Sequence, residues 1–197
     1  MKLYDRDISG NAYKVRLLLA LLHLPYERIT VDLPGGENRR PEFLSLNPRG
    51  QIPVLEDGGR VFWDSTAILV YLARRYGGET WLPSDPAQMA EVMQWLALAQ
   101  NEILYGLARA RAINLFKRPW NLDEAQAAGR RALDVLQERL NGHDWLALER
   151  PTIADVACYP YVALAPEGGV SLETYPFVRG WVSRVQKLPG YVGMPGL

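Results

Sequence analysis

The feature that most constrains the fold of this chain is a change of pattern near residue 80. Before it, short period-two stretches alternate with short runs of helical spacing; after Pro86 every periodic stretch is helical. An alternating first part followed by an all-helical remainder calls for two kinds of packing layer. The expectation is therefore an α/β domain over residues 1–78, a linker over 79–86 containing Pro83-Ser84-Asp85-Pro86, and an all-α domain over 87–197. In the first part, residues 2–8 read as a strand. Val15, Leu18, Leu19 and Leu22 then recur at helical spacing until Pro25, and residues 26–32 alternate as a second strand. Pro34-Gly35-Gly36 breaks the chain, residues 41–46 form a short helix, and Asn47-Pro48-Arg49-Gly50 is a turn. Asp57-Gly58-Gly59 between residues 52–56 and 60–63 is a hairpin signal. Residues 65–76 carry Ile68, Leu69 and Leu72 on one helical face, and Gly77-Gly78 stops them. The order is βαβ, short α, ββα. Long helical patterns follow at 87–112, 122–140, 152–164 and 174–188, the third opened by Thr152-Ile153-Ala154-Asp155, a capping box with Asp in place of Glu.

Composition excludes several partners. The 197 residues carry 22 Lys+Arg against 22 Asp+Glu, and the balance holds at about +1 before residue 80 and about −1 after it, without the basic excess that nucleic acid needs. One Cys forms no internal disulfide, and His23 and His143 stand too far apart for metal-ligand spacing. No metal is expected. Asp5, Arg6 and Asp7 occupy the place of a signal peptide's apolar stretch, and no run of about 18 apolar residues occurs. These features predict a soluble, cytoplasmic protein with no membrane partner.

A βαβ, ββα unit of this length is similar to the thioredoxin fold, whose chemistry sits in the turn after the first strand. Here that turn reads Ile8-Ser9-Gly10-Asn11-Ala12-Tyr13-Lys14. Dithiol exchange by the protein itself is excluded, because no Cys precedes Cys158. What remains is a hydroxyl and an amide at a helix N-terminus, where free backbone N–H groups and the macrodipole favour an anion. The plain alternative is that Ser9 or Asn11 only caps the helix.

Two further stretches decide the reading. Asn47-Pro48-Arg49-Gly50-Gln51-Ile52-Pro53-Val54-Leu55 and Trp63-Asp64-Ser65-Thr66-Ala67-Ile68-Leu69-Val70-Tyr71-Leu72, in that order after a Ser-containing first turn, closely resemble the glutathione transferase family. Pro151-Thr152-Ile153-Ala154-Asp155-Val156-Ala157 resembles the family's capped core helix, so the likeness covers nearly the whole chain. The resemblance implies the glutathione transferase fold: a thioredoxin-like α/β domain followed by an all-α helical bundle. It also implies glutathione as co-substrate. Ile52-Pro53 matches the apolar-plus-cis-proline pair that offers a backbone edge to the cysteinyl part. Asp64 and Ser65 match the residues holding the γ-glutamyl ammonium and carboxylate. Gln51, and more weakly Arg39 and Arg40, match positions near the glycyl end. Ser9 matches the hydroxyl that donates to the sulfur in serine-type classes. Asn11 falls where some of those classes carry Cys, and certain bacterial members have Asn there, so either group is a candidate to face the thiolate, with Ser9 the expected donor and Asn11 its rival. The departure argues against the zeta-type isomerase, whose turn reads Ser-Ser-Cys.

The physical requirement is modest. A thiol of reference pKa ~8.5 is about 3% thiolate at pH 7, and lowering it by ~2 units takes about 2.7 kcal/mol. One hydrogen bond to a charged group supplies ~1.5–3 kcal/mol and a helix terminus adds up to ~1.

A small electrophile is expected between the domains, against the first long helix. Tyr105 and Arg109, four apart, share a face there, with Arg111 close by. Trp120 and the tail 191–195 are further candidates to line or cover that pocket. Cys158, in an apolar helical run, reads as inert core. The expected function is a glutathione transferase whose bound thiolate attacks an electrophile, a peroxide or a mixed disulfide, with a homodimer and a part in detoxification implied by the resemblance. The alternative is a non-catalytic glutathione transferase-like interaction module. Retention of Ser9, Ile52-Pro53 and Asp64-Ser65 together favours the enzyme. A Ser-His-Asp hydrolase is excluded, as no Gly-x-Ser-x-Gly elbow occurs.

Overall fold

The computed structural model describes residues 1–197. Four strands form one mixed sheet: β1 (Lys2–Asp5), β2 (Glu27–Thr30), β3 (Val54–Asp57) and β4 (Arg60–Trp63), in the order β2-β1-β3-β4. β1 and β2 run parallel because α1 (Gly10–Leu21) carries the chain back across the sheet between them, while β3 runs antiparallel to both β1 and β4. The β3–β4 hairpin turns on Gly58 and Gly59, with φ of 56° and 77°. Two consecutive positive φ values are what a two-residue hairpin of matching twist requires, and glycine reaches them without steric cost.

The strand expected over residues 2–8 ends at Asp5. Beyond it the Arg6 and Asp7 carbonyls accept from the Arg16 guanidinium at 3.3 and 2.9 Å rather than from a neighbouring strand. Arg16 also donates to the buried Asp5 carboxylate at 2.6 Å, and Arg28 joins it at 2.6 Å. This network anchors the turn that carries Ser9. Helix α2 (Pro41–Leu46) follows β2, and α3 (Ser65–Leu72) runs on through a π-helical turn at Ala73–Gly77.

The segment expected as a linker holds one helical turn, α4 (Gly78–Trp81). Arg150 donates to the Thr80 and Glu79 carbonyls at 2.6 and 2.9 Å, which ties that turn to the helical part. There α5 (Pro86–Leu98), a π-helical stretch at Ala99–Ala108 and α6 (Arg109–Phe116) form one continuous rod, joined by α7 (Leu122–Arg139), α8 (Ile153–Ala163) and α9 (Pro176–Gln186).

Helix α8 is buried from Ile153 to Val162 and packs on both α1 and α5. Its capping box is present: the Thr152 hydroxyl accepts from Ala154 N–H at 3.2 Å, and Asp155 accepts from Thr152 N–H at 2.9 Å. The same carboxylate accepts from Leu146 N–H at 3.1 Å and Trp181 Nε1–H at 2.8 Å. Burial pushes Asp155 up to about 6, against the pull of those donors. One apolar core of 40 residues runs from Leu3, Leu17 and Leu69 in the sheet part to Leu96, Ile103 and Trp181 in the helical part. A continuous core fixes the two parts against each other, and with them the two walls of the crevice between them. Cys158 lies in this core, its thiol pushed up by burial. No helix is long and apolar enough to cross a membrane.

Candidate functional site

Ser9 sits at the hinge between β1 and α1 with extended backbone, and its Oγ accepts from Ala12 N–H at 3.2 Å. Ser9 therefore supplies the N-cap, and Asn11 occupies the helix's second position instead of capping it. Gly10 between them is required by close approach, since a Cβ there would stand 2.5 Å from the Tyr161 ring. Tyr161, on α8, brings its hydroxyl over the helix start and faces the Asn11 backbone N–H. Burial pushes it up to about 12, so it is a neutral phenol at neutral pH.

Asn11 opens onto a cleft shared with Arg49, Gln51, Ile52, Pro53, Asp64 and Ser65. The Ile52–Pro53 bond is cis, and no hydrogen bond within the chain engages the Ile52 N–H or C=O. Asp64 adopts φ 74° and ψ 127°, a region costing about 1–3 kcal/mol for a residue with a Cβ. Its Oδ1 caps α3 through Thr66 N–H at 2.9 Å and Ala67 N–H at 3.3 Å. Ser65 follows as the first residue of that helix and is buried. Gln51 is exposed, its carbonyl accepting from Asn47 Nδ2–H at 2.6 Å, which closes the turn below it. Arg39 ends a 3₁₀ turn at Glu37–Arg39, exposed, with its guanidinium against Gly50.

Two residues at this cleft were not singled out by sequence. Arg49 Nη1 lies 3.7 Å from Asp64 Oδ2, an exposed and weak pairing. Its position inside the matched Asn47–Gly50 turn was the available signal. Gln100, on the π-helical stretch, donates from Nε2 to Asp64 Oδ1 at 3.0 Å and to Thr66 Oγ1 at 2.7 Å. No local pattern marks it, because it arrives from the other part of the chain.

Behind the cleft, Lys14 is wholly buried, three positions after Asn11 and so on the same face of α1. Its ammonium has no hydrogen-bond partner and stands over the Tyr161 ring, 5.3 Å from the centroid. Burial lowers it to about 8. The Asn11 Oδ1 is likewise buried and unpartnered. With the carboxamide oxygen turned inward, the NH₂ is the end left for the cleft.

A larger cavity of about 560 Å³ adjoins the cleft between the two parts, and Ser9 borders this cavity rather than the cleft. From the helical rod it is lined by Ala108, Arg111, Ala112 and Phe116, not by Tyr105 and Arg109. Those two do share a face, but Arg109 stacks on Tyr105 and on Trp120, each at 4.9 Å, in an outer stack with Tyr105 53% exposed. A four-residue spacing shows that two residues share a face and does not say which way that face points. The tail is also elsewhere: Tyr13 O–H donates to the Val192 carbonyl at 2.7 Å, and the Tyr159 and Tyr191 hydroxyls pair at 2.7 Å. Arg111 is buried, donates from Nη1 to the Ile8 carbonyl at 3.0 Å and pairs through Nε with Glu167.

A four-stranded mixed sheet with helical crossovers, joined to a helical bundle and carrying an anion-ready cleft at the start of α1, defines a thioredoxin-like glutathione transferase fold. Two family models match the chain: "Glutathione S-transferase, N-terminal domain" over residues 8–75 and "Glutathione S-transferase, C-terminal domain" over residues 107–189. The chain belongs to the glutathione S-transferase family and reads as one of its enzymes. It is 36% identical over 188 residues to the maleylacetoacetate isomerase of Pseudomonas aeruginosa, covering 91% of this chain and 88% of that protein. It is 33% identical over 197 residues to the disulfide-bond oxidoreductase YfcG of Escherichia coli, covering 92% and 88%. The crystal structure of a glutathione S-transferase from Pseudomonas fluorescens Pf-5 superposes with a TM-score of 0.91 at 40% identity, covering 98% of each chain.

Proposed function

We propose that this chain binds glutathione in the Asn11–Asp64 cleft, activates it as thiolate, and presents it to a small electrophile in the adjoining cavity. The observation that carries the reading is that Asn11, its carboxamide oxygen turned inward, shares one cleft with the unengaged Ile52 backbone, Asp64 and Ser65. The Ile52 N–H and C=O pair with the cysteinyl backbone as an added strand would. Asp64, held in place by Gln100, faces the γ-glutamyl ammonium, and Ser65 at the start of α3 takes the carboxylate. Gln51 and Arg39 stand toward the glycyl end. The Asn11 amide then donates to the sulfur, the thiol proton leaves to solvent, and the thiolate forms an S–C bond as the carbon's leaving group departs as an anion to solvent, or an S–S bond as a mixed disulfide releases its other sulfur as thiolate. Ser9, already the cap of α1, acts beside it through its free O–H. Because the turn lacks the Cys of the zeta-type pattern, transfer to an electrophile or reduction of a mixed disulfide is favoured over isomerisation.

The working state is a cytoplasmic homodimer. Val61, Tyr76 and Met93 stay exposed, apolar area that a partner would cover. The site is tested with Asp64→Asn, which keeps the Oδ1 cap on α3 and removes the charge. Loss of a charge-assisted contact of about 1.5 kcal/mol predicts a glutathione KM at least about tenfold higher. An unchanged KM removes Asp64 from the site.

A further inference from the structure

The cavity beside the cleft has an uneven chemistry. Its lining is about half apolar, with Ile8, Leu33, Pro34, Ala108, Ala112 and Phe116, and half polar, with Ser9, Tyr161 and three arginines, Arg6, Arg111 and Arg118, while no Asp or Glu lines it. The chain as a whole is neutral, so this excess is local. Arg111 is already answered by Glu167 and the Ile8 carbonyl. Arg6 and Arg118 have no ion-pair partner in the chain, Arg6 half-buried and Arg118 at the open edge.

We propose that this cavity selects electrophiles that carry a carboxylate on an apolar body, the body lying against Phe116 and Leu33 and the carboxylate between the Arg6 and Arg118 guanidinium groups. The proposal rests on the glutathione transferase reading of the neighbouring cleft. A neutral apolar wall alone accepts any electrophile of matching size. Two guanidinium groups without an ion-pair partner, one half-buried and one at the open edge, add a charge preference, since a carboxylate between them accepts charge-assisted hydrogen bonds stronger than those a neutral group of the same shape accepts. A volume of about 560 Å³ suits a ligand of one or two rings and excludes a macromolecule. On the glutathione transferase reading, glutathione's own carboxylates are taken in the neighbouring cleft, whose lining residues are separate from those of this cavity.

Calorimetric titration of the purified protein with three probes tests this: glutathione, S-(4-carboxybenzyl)glutathione and the methyl ester of the latter's benzoate. The free-acid conjugate is expected to bind at least about tenfold tighter than the ester, with the preference shrinking in high salt. Arg6→Gln and Arg118→Gln are each expected to cut that ratio about threefold and together to bring it near one. Binding of glutathione and the ester with equal affinity for acid and ester in the unaltered protein overturns the inference alone. A ratio untouched by both substitutions, or an equal loss for acid and ester, also overturns it. Failure of all three probes to bind overturns the glutathione reading and the inference with it.

Discussion

Replacing the buried Lys14 by Met is expected to stabilise the protein. The ammonium has no hydrogen-bond partner, and burial holds it at about 8 where an unfolded lysine titrates at 10.5. At 1.36 kcal/mol per pKa unit this amounts to about 3 kcal/mol against the folded state whenever both states are protonated. The contact with the Tyr161 ring, worth up to about 2 kcal/mol when desolvated, is lost with the charge. The net gain at pH 7 is then about 1–3 kcal/mol, or several degrees in Tm for a chain of this size. The sign with pH follows from proton counts. Between about 8 and 10.5 the unfolded chain holds the Lys14 proton and the folded chain does not, so the Lys14 contribution to stability rises with pH. Urea denaturation of both proteins from pH 7 to 10 reads the difference, in which the raised tyrosines cancel. Lys14→Met is expected to lead at pH 7, with the gap narrowing by about 2 kcal/mol by pH 10. A variant less stable than its parent at pH 7, or a gap independent of pH, refutes the account of Lys14 as a buried, unpaired ammonium.

Asp155→Ala leaves Thr152 N–H, Leu146 N–H and Trp181 Nε1–H without their acceptor in the core, and is expected to cost about 3 kcal/mol or more in urea denaturation; a loss under about 1 kcal/mol refutes the capping role. Light scattering at micromolar concentration is expected to give twice the 22.2 kDa chain mass, and Val61→Lys to shift it toward the single chain. A wild-type mass of one chain rejects the dimer.

Local patterns made much of the fold legible. The helix phases of Val15, Leu18 and Leu19, the Gly58-Gly59 turn and the Thr152–Asp155 box each encode structure within a few residues, and each is present in the folded chain. The Ile52-Pro53 and Asp64-Ser65 segments are met in one cleft because each sits at an element boundary whose place the sheet order dictates. What was not legible arrives across the fold. Gln100 and Tyr161 reach the site only through packing of the rod and α8 on α1, and no spacing within their own helices announces it, whereas Arg111, expected close to the second-substrate pocket, does line the cavity. Tyr105 and Arg109 show the converse. Their four-residue spacing is real and the two side chains do stack, but spacing says only that they share a face, not that the face lines the cavity. The assignment of the cap to Ser9 rather than Asn11 likewise depends on the extended backbone of Ser9 in the turn after β1, which Arg16 helps to hold through the Arg6 and Asp7 carbonyls.

The central claim is that the amide of Asn11 holds the glutathione sulfur as thiolate, and ultraviolet titration of the bound thiolate from pH 5 to 9 tests it most directly. Asn11→Ala is expected to raise the pKa of the bound thiol by about 1–2 units, the equivalent of about 1.5–3 kcal/mol, while Ser9→Ala leaves a smaller shift and a loss of about 1 kcal/mol in stability as a missing cap. A shift confined to Ser9→Ala, or no shift in either variant, would contradict it.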